Sequence, residues 1–456
     1  MWVFNRHVSM RGLTVFGFET VLISASVVVA AEMHGAFDRA IGGLWKVVLV
    51  TALCELCFYY NDLYDLTRVH ATRDLLVRVL QGTGAAAFAL AALTALMPSV
   101  LLGNGIFATV VGLLLVGVPL WRVAFNGLTT DPHLEERVLI VGTGTLAQTV
   151  ARQIREHQDF AYRLVGFIED GGAGRLHVRQ HDVLGTAADI DAIVAKRHVD
   201  RIVVSLTDRR GRLPIEALLR AKLAGVRVED AVTTFERLTG KLLVEDLRPS
   251  GLIFSDGFRV SRLTRAVKRA FDLLCALVVS IVSTPAMLLT AIAVGIDSPG
   301  PILYCQERVG ENGRIFTLRK FRSMRVDAEQ GTPMWAKDKD DRVTRIGRLL
   351  RVTRLDELPQ LWNVLKGDMS FVGPRPERPF FVEQLAESIP FYMARHAVKP
   401  GLTGWAQVKY RYGSSVEDAR EKLRYDLYYI KHLSLLFDLT ILIDTLKVVV
   451  SGKGAK

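Results

Sequence analysis

The chain has 456 residues, half of them hydrophobic, and this length allows about three domains of ordinary size. Its mean hydropathy of +0.24 exceeds the usual balance of soluble proteins, and the apolar residues are concentrated in separate stretches, which excludes a wholly soluble protein and indicates membrane segments. The formal net charge of +11 suits an anionic lipid surface, a phosphorylated substrate or nucleic acid, and charge alone does not choose among them.

Four apolar stretches open the chain, and each has about the 20 residues needed to cross the hydrocarbon core of a bilayer. Arginines precede the first stretch, separate the second from the third and follow the fourth, whereas the opposite loops carry only Arg39. Positive charge marks the cytoplasmic side of a membrane protein. We therefore predict a four-helix transmembrane unit over residues 1–130 with both ends in the cytoplasm, its spans lying at residues 12–31, 41–60, 80–98 and 101–121.

Three charged residues, Glu19, Lys46 and Glu55, fall inside these stretches. An ionisable side chain within a membrane is a candidate functional group. Lys46 and Glu55 lie near the ends of their stretches, so snorkelling to the surface or pairing within the bundle is the preferred interpretation for them.

The segment RVLIVGTGTLAQTV, residues 137–150, passes from a buried-strand pattern into Gly142, Gly144 and Ala147 and then into a helix. This is the context of a dinucleotide-type turn, in which glycines let a phosphate approach the N-terminus of a helix. Further strand and helix patterns follow it. We predict a Rossmann-like α/β domain over residues 131–240 on the cytoplasmic side.

A second strand of this domain, over residues 163–170, ends in Glu169 and Asp170, near the place of a ribose-binding acid. Gly142, Gly144 and Asp170 are therefore candidate contacts for NAD or another nucleotide. The alternative is that the glycine turn only closes the fold and binds no ligand.

A dehydratase or epimerase of this fold would be expected to carry a Tyr-x-x-x-Lys pair. Gly166, not a lysine, stands four residues after Tyr162, which is the only tyrosine between residues 131 and 300. The sequence therefore disfavours an NAD-dependent sugar-nucleotide dehydratase.

A fifth apolar stretch runs from Leu273 to Ile296 and is long enough to cross the membrane. Cations flank it on both sides, however, and so mark both ends as cytoplasmic. Pro285 bends a helix, and a hydroxyl such as that of Thr284 can take up a freed carbonyl. We predict a re-entrant membrane helix over residues 268–296 with its bend at Thr284 and Pro285; the alternative is a fifth plain span with a kink.

The C-terminal stretch LSLLFDLTILIDTLKVVV, residues 433–450, is interrupted by Asp438, Asp444 and Lys447. These charges favour a helix that lies at the membrane interface over one that spans the membrane.

The segment RLDELPQLWNVLKGDMSFVGPRP, residues 354–376, places Asp356 and Glu357 in front of a short helix pattern. Pro359 is tolerated in a first helical turn, and Gly367 suits a helix end. Unpaired amide donors and the helix dipole at this end would favour ionised carboxylates. Adjacent residues on a helix point in different directions, so one acid can attack while the other holds a metal or a proton.

Cations surround this acidic pair in the sequence. Their density beside carboxylates suits a diphosphate, whose oxygens arginine binds in bidentate fashion. The arginines of residues 345–351 could equally form a solvated or membrane-facing helix side, and His396 is interpreted as structural. We take as candidate substrate contacts the residues of three separate segments: Lys320, Arg322, Arg354, Arg375 and Glu377.

Three motifs carry a family resemblance: SPGPILYCQERVGENGRIFTLRKFRSM (298–324), TRLDELPQLWNVLKGDMSFVGPRPE (353–377) and KPGLTGWAQV (399–408). They resemble the bacterial sugar transferase family, the monotopic polyprenyl-phosphate hexose-1-phosphate transferases, also called phosphoglycosyl transferases. The resemblance covers residues 266–456, and the preceding regions are similar to the large form of the family, in particular to members associated with exopolysaccharide and exosortase systems.

The resemblance implies an enzyme that transfers a hexose 1-phosphate from a UDP-sugar to polyprenyl (undecaprenyl) phosphate and releases UMP, with Mg²⁺ as cofactor. It implies that Asp356 is the nucleophile that forms a phosphosugar aspartate, that Glu357 completes the dyad, that both hold the metal, and that Lys320 and Arg375 contact phosphate. It also implies a homodimer in the bacterial inner membrane that initiates exopolysaccharide or other glycoconjugate assembly and does not bind nucleic acid. The family often has Ser-Pro at the helix bend, where this chain has Thr284-Pro285.

The predicted fold is thus that of a multidomain membrane protein: the transmembrane unit (1–130), the Rossmann-like domain (131–240), a linker (241–265) and an α-rich mixed catalytic domain with the re-entrant helix (266–456). The alternative function is a membrane-anchored, nucleotide-binding sensor or scaffold with an inactive transferase domain.

Overall fold

A computed structural model describes most of the chain in two compact units, one mainly of residues His7–Thr234 and one of residues Trp2–Arg6 and Phe235–Lys456. The described residues are 2–3, 6–7, 10–35, 44–61, 63–64, 72–96, 104–129, 135–157, 162–169, 182–206, 213–244, 257–258, 260–326, 328, 342–410, 413 and 415–450.

Apolar helices form the first part of the first unit. After the short paired strands β1 (Trp2–Val3) and β2 (Arg6–His7) come α1 (Met10–Met33), α2 (Leu44–Tyr60), α3 (Thr72–Leu96) and α4 (Asn104–Thr129). One hydrophobic core joins all four helices and includes Val27, Phe58, Val79 and Leu114. Each helix therefore buries one side against the others.

Two of these helices contain segments long and apolar enough to cross a membrane, Leu13–Met33 and Gly105–Phe125, while α2 has 17 residues and α3 contains a shorter apolar segment. The N-terminal region is therefore helical and membrane-like, and the crossing of all four helices stays a prediction.

Charged groups within this helical region have polar or aromatic contacts in the bundle. The buried Glu19 carboxylate accepts hydrogen bonds from Arg122 Nε at 2.6 Å and from its Nη2 at 3.1 Å. Glu55 accepts a hydrogen bond from the Thr20 hydroxyl, and Lys46 lies over the ring of Trp45. Pairing within the bundle thus accounts for Glu19 and Glu55, as burial of a charge requires.

The second part of this unit is a parallel α/β domain. Its five-stranded sheet has the order β5-β4-β3-β6-β7, which corresponds to the first five strands of the Rossmann order 3-2-1-4-5-6. The predicted strands are present, and the sequence prediction missed only β5, a four-residue edge strand too short to show a pattern. The elements are β3 (Glu136–Val141), α5 (Thr145–Glu156), β4 (Tyr162–Glu169), β5 (Val183–Thr186), α6 (Ile190–Arg197), β6 (Arg201–Val204), α7 (Ile215–Leu223) and β7 (Arg227–Asp230).

The second unit begins within α8 (Ala231–Thr239). The predicted linker over 241–265 differs from the structure at both ends. Leu242 and Val244 are buried in the core of this unit, and Ser261 caps a helix that starts at Arg262, its hydroxyl accepting a hydrogen bond from the Thr264 amide at 3.0 Å. The composition of a connector does not indicate that side chains such as Leu242 and Val244 are buried.

The remaining elements of the second unit form a mixed catalytic domain with short strands. They are α9 (Arg262–Asp297), β8 (Leu303–Val309), β9 (Ile315–Phe321), α10 (Arg345–Thr353), the 3-10 segment Leu355–Gln360, α11 (Leu361–Lys366), β10 (Ser370–Val372), α12 (Pro379–Ser388), the 3-10 segment Tyr392–Ala397, β11 (Gly401–Thr403), α13 (Trp405–Lys409), α14 (Val416–Lys431) and α15 (Leu435–Val450).

The long helix α9 has 36 residues, with Pro285 in its interior. The Thr284 hydroxyl donates to the Ser280 carbonyl at 2.7 Å, which is the back-bond expected before a proline. Ala276 near one end packs with Phe316 and Leu318, and residues near the other end pack in a core with Phe321. Both arms of the helix therefore contact the same catalytic domain.

The middle of α9 exposes large apolar side chains, among them Ile281, Val282 and Leu289, which are 65%, 74% and 70% exposed. A soluble domain rarely leaves such a row of side chains uncovered. These exposed side chains belong to the apolar stretch Leu273–Ile296 of the sequence.

Helix α15 has charges on its inner side and apolar residues on its outer side. Asp438 is fully buried and accepts hydrogen bonds from Lys268 Nζ at 2.5 Å and from the Tyr429 hydroxyl at 2.8 Å. Leu439 and Leu446 are exposed. The acidic residues that interrupt the apolar pattern therefore face the domain, whereas the predicted interfacial helix had assigned them to the polar surface.

Candidate active site

The acidic pair lies in a 3-10 segment, Leu355–Gln360, with Pro359 in its interior. The six-residue helix α11 follows and ends at Gly367, whose positive φ of 98° lets its amide bond back to the carbonyls of Asn363 and Val364. The sequence correctly predicted the helix end. It placed the acids just before or at the first turn of a helix, and in the structure they lie in a 3-10 segment that leads directly into α11.

Asn363 joins this segment to strand β9. Its side chain is 1% exposed, its Oδ1 accepts a hydrogen bond from the Arg319 amide at 3.2 Å, and its Nδ2 donates to the Thr317 carbonyl at 2.8 Å. Strand β9 also carries Lys320, so this clamp fixes the acidic segment beside that lysine. Asn363 was not predicted from the sequence. Nothing in the sequence distinguishes an asparagine that joins two elements from one on the surface of an apolar helix.

Three cations converge on one oxygen of Glu357. Its Oε1 lies 3.0 Å from Lys320 Nζ, 3.2 Å from Arg375 Nη2 and 4.0 Å from Arg354 Nη1. These three residues come from β9, from the turn after β10 and from the end of α10. The structure therefore brings together the acid and three of the cations that the sequence had singled out from separate motifs.

Two opposing effects act on the pKa of Glu357. Burial raises it, and the cations Lys320, Arg375 and Arg354 outweigh burial, so that the pKa lies well below its ordinary value. The carboxyl is ionised at neutral pH because of these ion pairs.

Asp356 differs from its neighbour. Its side chain is 7% exposed, and its Oδ1 has no hydrogen-bond partner among the residues that the structure describes. Burial raises the pKa of Asp356 above its ordinary value, and the nearby Lys320 partly offsets this increase. One acid of the pair is thus engaged by cations, while the other has an oxygen with no partner in this part of the chain.

The turn that carries Arg375 is built by close backbone approach. Strands β10 and β11 pair in parallel, with Ser370 opposite Gly401 and Val372 opposite Thr403. A Cβ atom on Gly373 would overlap the carbonyl of Lys399. The glycines of the second and third sequence motifs are therefore required for these motifs to meet.

Two of the predicted substrate contacts lie elsewhere. The Arg322 guanidinium donates to the carbonyls of Ser298 and Pro299 at 2.6 and 3.0 Å and so holds the end of α9. Glu377 lies 3.7 Å from Arg308 Nη1, and its own carbonyl accepts from the Val309 amide. Neither is among the side chains that contact Glu357, and their contact with substrate stays a prediction.

Some arginines of helix α10 lie on the protein surface, and one lies near the acidic pair. Arg345 and Arg348 are exposed, as the solvated interpretation expects. Arg351 instead donates from Nε to the Ser323 hydroxyl at 3.0 Å, and its charge lowers the pKa of Asp356. Arg351 is a site cation that the sequence analysis had left with the solvated or membrane-facing row.

The candidate nucleotide contacts of the α/β domain are only partly tested by geometry. Gly142 has a φ of 113°, and a Cβ atom there would meet Ser205, so the fold itself requires this glycine. A Cβ atom on Gly144 would meet nothing within 4 Å. Asp170 lies outside the described residues. The interpretation that this turn closes the fold explains Gly142, and nucleotide binding stays a prediction.

Comparison with known proteins agrees with this arrangement. A family model described as bacterial sugar transferase matches residues 263–452, and one described as a CoA-binding domain matches residues 59–213. The UDP-glucose:undecaprenyl-phosphate glucose-1-phosphate transferase of Xanthomonas campestris pv. campestris is 30% identical over 470 aligned positions, which cover 96% of this chain and 93% of that protein.

The chain belongs to the bacterial sugar transferase family. A glucose-1-phosphate transferase of the same description from Escherichia coli (strain K12) is 32% identical and aligns with 71% of this chain over 70% of its own length. The family resemblance of the three sequence motifs is thus confirmed.

A further relative of this sugar transferase is more similar over a shorter region. The UDP-N-acetylgalactosamine-undecaprenyl-phosphate N-acetylgalactosaminephosphotransferase of Aeromonas hydrophila is 43% identical over 239 residues, which cover 52% of this chain and 56% of that protein. The undecaprenyl-phosphate glucose phosphotransferase of Komagataeibacter xylinus is 35% identical, and the match covers 61% of its length. The chain thus aligns with less than two thirds of each of these two relatives.

Proposed function

We propose that this sugar transferase moves a hexose 1-phosphate from a UDP-sugar to polyprenyl phosphate and releases UMP. The observation that supports this most strongly is the convergence of Lys320, Arg375 and Arg354 on Glu357, beside an Asp356 carboxylate whose Oδ1 has no described partner. The names of the relatives, which describe UDP-sugar donors and undecaprenyl phosphate acceptors, support the same reaction.

The charge of the site suits a diphosphate substrate. Two carboxylates are faced by Lys320, Arg351, Arg354 and Arg375. A UDP-sugar brings two negatively charged phosphate groups to these cations, and arginine matches the spacing of phosphate oxygens.

Asp356 acts as the nucleophile in this proposal. Its carboxylate oxygen forms a bond to the sugar-bearing phosphorus, and the bond between that phosphorus and the bridging oxygen breaks, so that UMP leaves with the electron pair. An oxygen of polyprenyl phosphate then attacks the same phosphorus and releases the Asp356 carboxylate. Two steps let a soluble donor and a lipid acceptor use the site in turn.

The surrounding cations lower the energy of both steps. Lys320 and Arg375 hold Glu357 and face the place where phosphate charge develops, and preorganised charge stabilises such a transition state without rearrangement. Burial of Asp356 removes water from the nucleophile, and the cations keep a fraction of it ionised despite the raised pKa.

Mg²⁺ fits this site as a partner of the substrate. Among the described residues no group of three or more His, Cys, Asp or Glu side chains could hold a metal alone. Mg²⁺ is commonly bound through one or two carboxylates, with substrate phosphates and water completing its shell, and the Oδ1 of Asp356 is available for this role, with Glu357 beside it. When bound, Mg²⁺ would neutralise diphosphate charge and favour departure of UMP.

The long helix α9 provides the access to lipid. Both of its arms contact the catalytic domain, while its middle exposes apolar side chains around Pro285. A helix that enters the bilayer and returns to the same side satisfies both facts, since a crossing would separate the two arms. We infer a re-entrant helix, four N-terminal spans, and α/β and catalytic domains on the cytoplasmic side of the bacterial inner membrane.

The further assembly of this protein rests on the family resemblance. We expect a homodimer that starts exopolysaccharide or other glycoconjugate synthesis. The domain limits stated from the sequence, and an NAD or other nucleotide site in the α/β domain, are expectations of the same kind.

A panel of UDP-sugars tests the proposed activity. Purified protein with Mg²⁺ and polyprenyl phosphate should release UMP from at least one of them, and Asp356→Asn should abolish this release. Asp368→Asn, which changes an acid of the same type twelve residues along the chain, is the matched control. Absence of UMP from every donor would instead favour a sensor or scaffold with an inactive transferase domain.

A further inference from the structure

The turn of residues 374–377, which carries Arg375, has few means to hold itself in place. Pro374 and Pro376 lack an amide proton, so the turn loses two of its own hydrogen-bond donors. Arg375 contributes to the Glu357 contact through a side chain whose direction depends on this backbone. Its position must therefore be set from outside the turn.

Each of the four carbonyls of the turn accepts a hydrogen bond from outside the turn, and the four donors come from three elements: β8, β11 and the 3-10 segment Tyr392–Ala397. The Pro374 carbonyl accepts from the Gly401 amide and the Glu377 carbonyl from the Val309 amide, both at 2.9 Å. The other two donors are side chains. Arg395 Nη2 donates to the Arg375 carbonyl at 3.1 Å, and Arg308 Nη1 donates to the Pro376 carbonyl at 3.0 Å.

Arg395 is itself held rigidly. It is 4% exposed, and its Nε and Nη2 donate to one oxygen of the buried Asp426 at 3.1 and 2.8 Å. Its Nη1 donates to the Tyr392 hydroxyl at 2.7 Å. A buried ion pair gives little stability compared with apolar side chains of the same volume, so stability alone does not account for a guanidinium at this place.

Arg308 has an equivalent arrangement on the other side of the turn. Its Nη2 donates to Gln306 Oε1 at 2.6 Å, while Nη1 reaches the turn and lies near the Glu377 carboxylate. Arg308 comes from β8, and Arg395 comes from the 3-10 segment Tyr392–Ala397. Arginines from two different elements thus hold successive carbonyls of the same turn.

We propose that Arg395 and Arg308 are positioning residues that set where the Arg375 guanidinium meets Glu357 and the donor phosphates. The predicted effect of the two arginines on rate rests on the proposed function. Their predicted effect on the turn rests only on the hydrogen bonds described above. Only the fork of a guanidinium lets Arg395 hold both Asp426 and a backbone carbonyl; a lysine keeps the charge but lacks this fork. A displacement of about 1 Å at a reacting centre can cost about a hundredfold in rate.

Hydrogen exchange tests the effect on the turn without any substrate. In Arg395→Lys and, separately, Arg308→Lys, the amides of Gly401 and Val309 should exchange at least tenfold faster than in the wild type, because they bond to the same turn. Arg201→Lys is the matched control, a buried arginine of the α/β domain whose contacts are Glu136 and Glu229, and it should leave both amides unchanged. Unchanged exchange at Gly401 and Val309 in the turn variants would overturn the proposal.

Single-turnover UMP release tests the effect on rate. Arg395→Lys should lower kcat/KM at least tenfold in the otherwise wild-type protein. In a protein that already carries Arg375→Gln, Arg395→Lys should lower kcat/KM less than threefold, because Arg395 acts through the Arg375 side chain. Equal factors in both backgrounds would mean that Arg395 supports the fold only. If Arg395→Lys does not fold, Arg308→Lys and Asp426→Asn undergo the same comparison. A wild type that releases no UMP would refute the proposed function, while the exchange result would still decide the role of the two arginines.

Discussion

Glu357 shows how a single carboxylate organises the site. It receives Lys320 and Arg375 within ordinary ion-pair distances and Arg354 at 4.0 Å. The Lys320 side chain is 20% exposed, whereas that of Arg354 is 41% exposed and adjoins solvent. Because water screens exposed pairs, the three cations should differ in their importance.

Substitution of the cations should reveal this order. Lys320→Met should lower kcat/KM for UMP release by roughly a hundredfold or more, which is the loss that follows removal of one preorganised group facing developing charge. Arg354→Gln should lower it by less than about tenfold, because water screens the charge of an exposed side chain. The same kinetic assay measures both variants. Equal losses would show that exposure does not rank the cations.

His396 is a second residue whose environment has a measurable consequence. Burial, with the nearby Arg395, lowers the pKa of His396 to about 4. The folded pKa is below that of the unfolded chain, so the stability due to the neutral ring is fully present above about pH 6.5 and is lost as the pH falls toward 4. From these two values the loss is roughly 3 kcal/mol.

Thermal unfolding in detergent at several pH values tests this expectation. The midpoint should fall between pH 7 and pH 4.5 by several degrees more in the wild type than in His396→Gln, because glutamine has no proton to gain. Parallel curves for the two proteins would show that His396 is accessible to protons in the folded state.

At this scale the sequence singled out the acidic dyad, Lys320 and Arg375, and the structure brings these side chains together, while their roles in the reaction stay a prediction. Arg322 was grouped with them but lies apart. Strand alternation would place Arg322 on the same face as Lys320, but β9 ends at Phe321, and the Arg322 side chain turns to the carbonyls of Ser298 and Pro299. Such a contact between distant segments has no local signal in the sequence.

The helix α15 shows the same difficulty for a whole element. Its acidic residues break an apolar pattern and so predict a water-facing side, whereas Asp438 forms a buried pair with Lys268 and Asp444 lies 3.5 Å from Lys409. The sequence pattern of a helix shows which residues share a face, but it does not show which side chains of other elements pack against that face.

Asp438→Leu should therefore destabilise the protein although it makes α15 more apolar. The change removes the carboxylate that pairs with Lys268 and accepts from the Tyr429 hydroxyl, and removal of one member of a buried pair costs about 3–5 kcal/mol. Thr440→Leu, on the same helix, is the control and should change little, since the Thr440 hydroxyl donates to the Leu436 carbonyl of its own helix. Denaturant unfolding measures both, and a more stable Asp438→Leu protein would contradict the assignment.

The helix α9 carries a prediction about topology. Arg262 and Asn312 are both exposed and lie on either side of the apolar stretch. If the helix is re-entrant, cysteines introduced at these two positions should react with an impermeant maleimide from the same, cytoplasmic, side of oriented membranes. The native exposed Cys305 is replaced by serine in this experiment. Reaction from opposite sides would mean that α9 is a plain span.

At the scale of elements, the parallel sheet, the long apolar helix and the end of α11 at Gly367 followed from sequence patterns. The 3-10 geometry of Leu355–Gln360 and the packing of Leu242 did not, because both depend on tertiary contacts that override local preference.

The whole molecule combines a helical membrane-like region, a parallel α/β domain and the catalytic domain of the sugar transferase family. Its positive charge is consistent with both an anionic membrane and a phosphorylated donor. Composition predicted this class of protein without indicating how the charge is distributed. The structure shows that part of it is concentrated around the Asp356–Glu357 pair, which is where the proposed chemistry needs it.

The central claim is that Asp356 captures the sugar phosphate before the lipid takes part. Its most direct test is a rapid-mixing experiment with Mg²⁺ and the active UDP-sugar but no polyprenyl phosphate, followed by mass spectrometry of the peptide that contains residue 356. If Asp356 is the nucleophile, we expect release of up to one equivalent of UMP per protein and a hexose phosphate bound to Asp356. UMP release that requires lipid from the start, with no modified peptide, would contradict it.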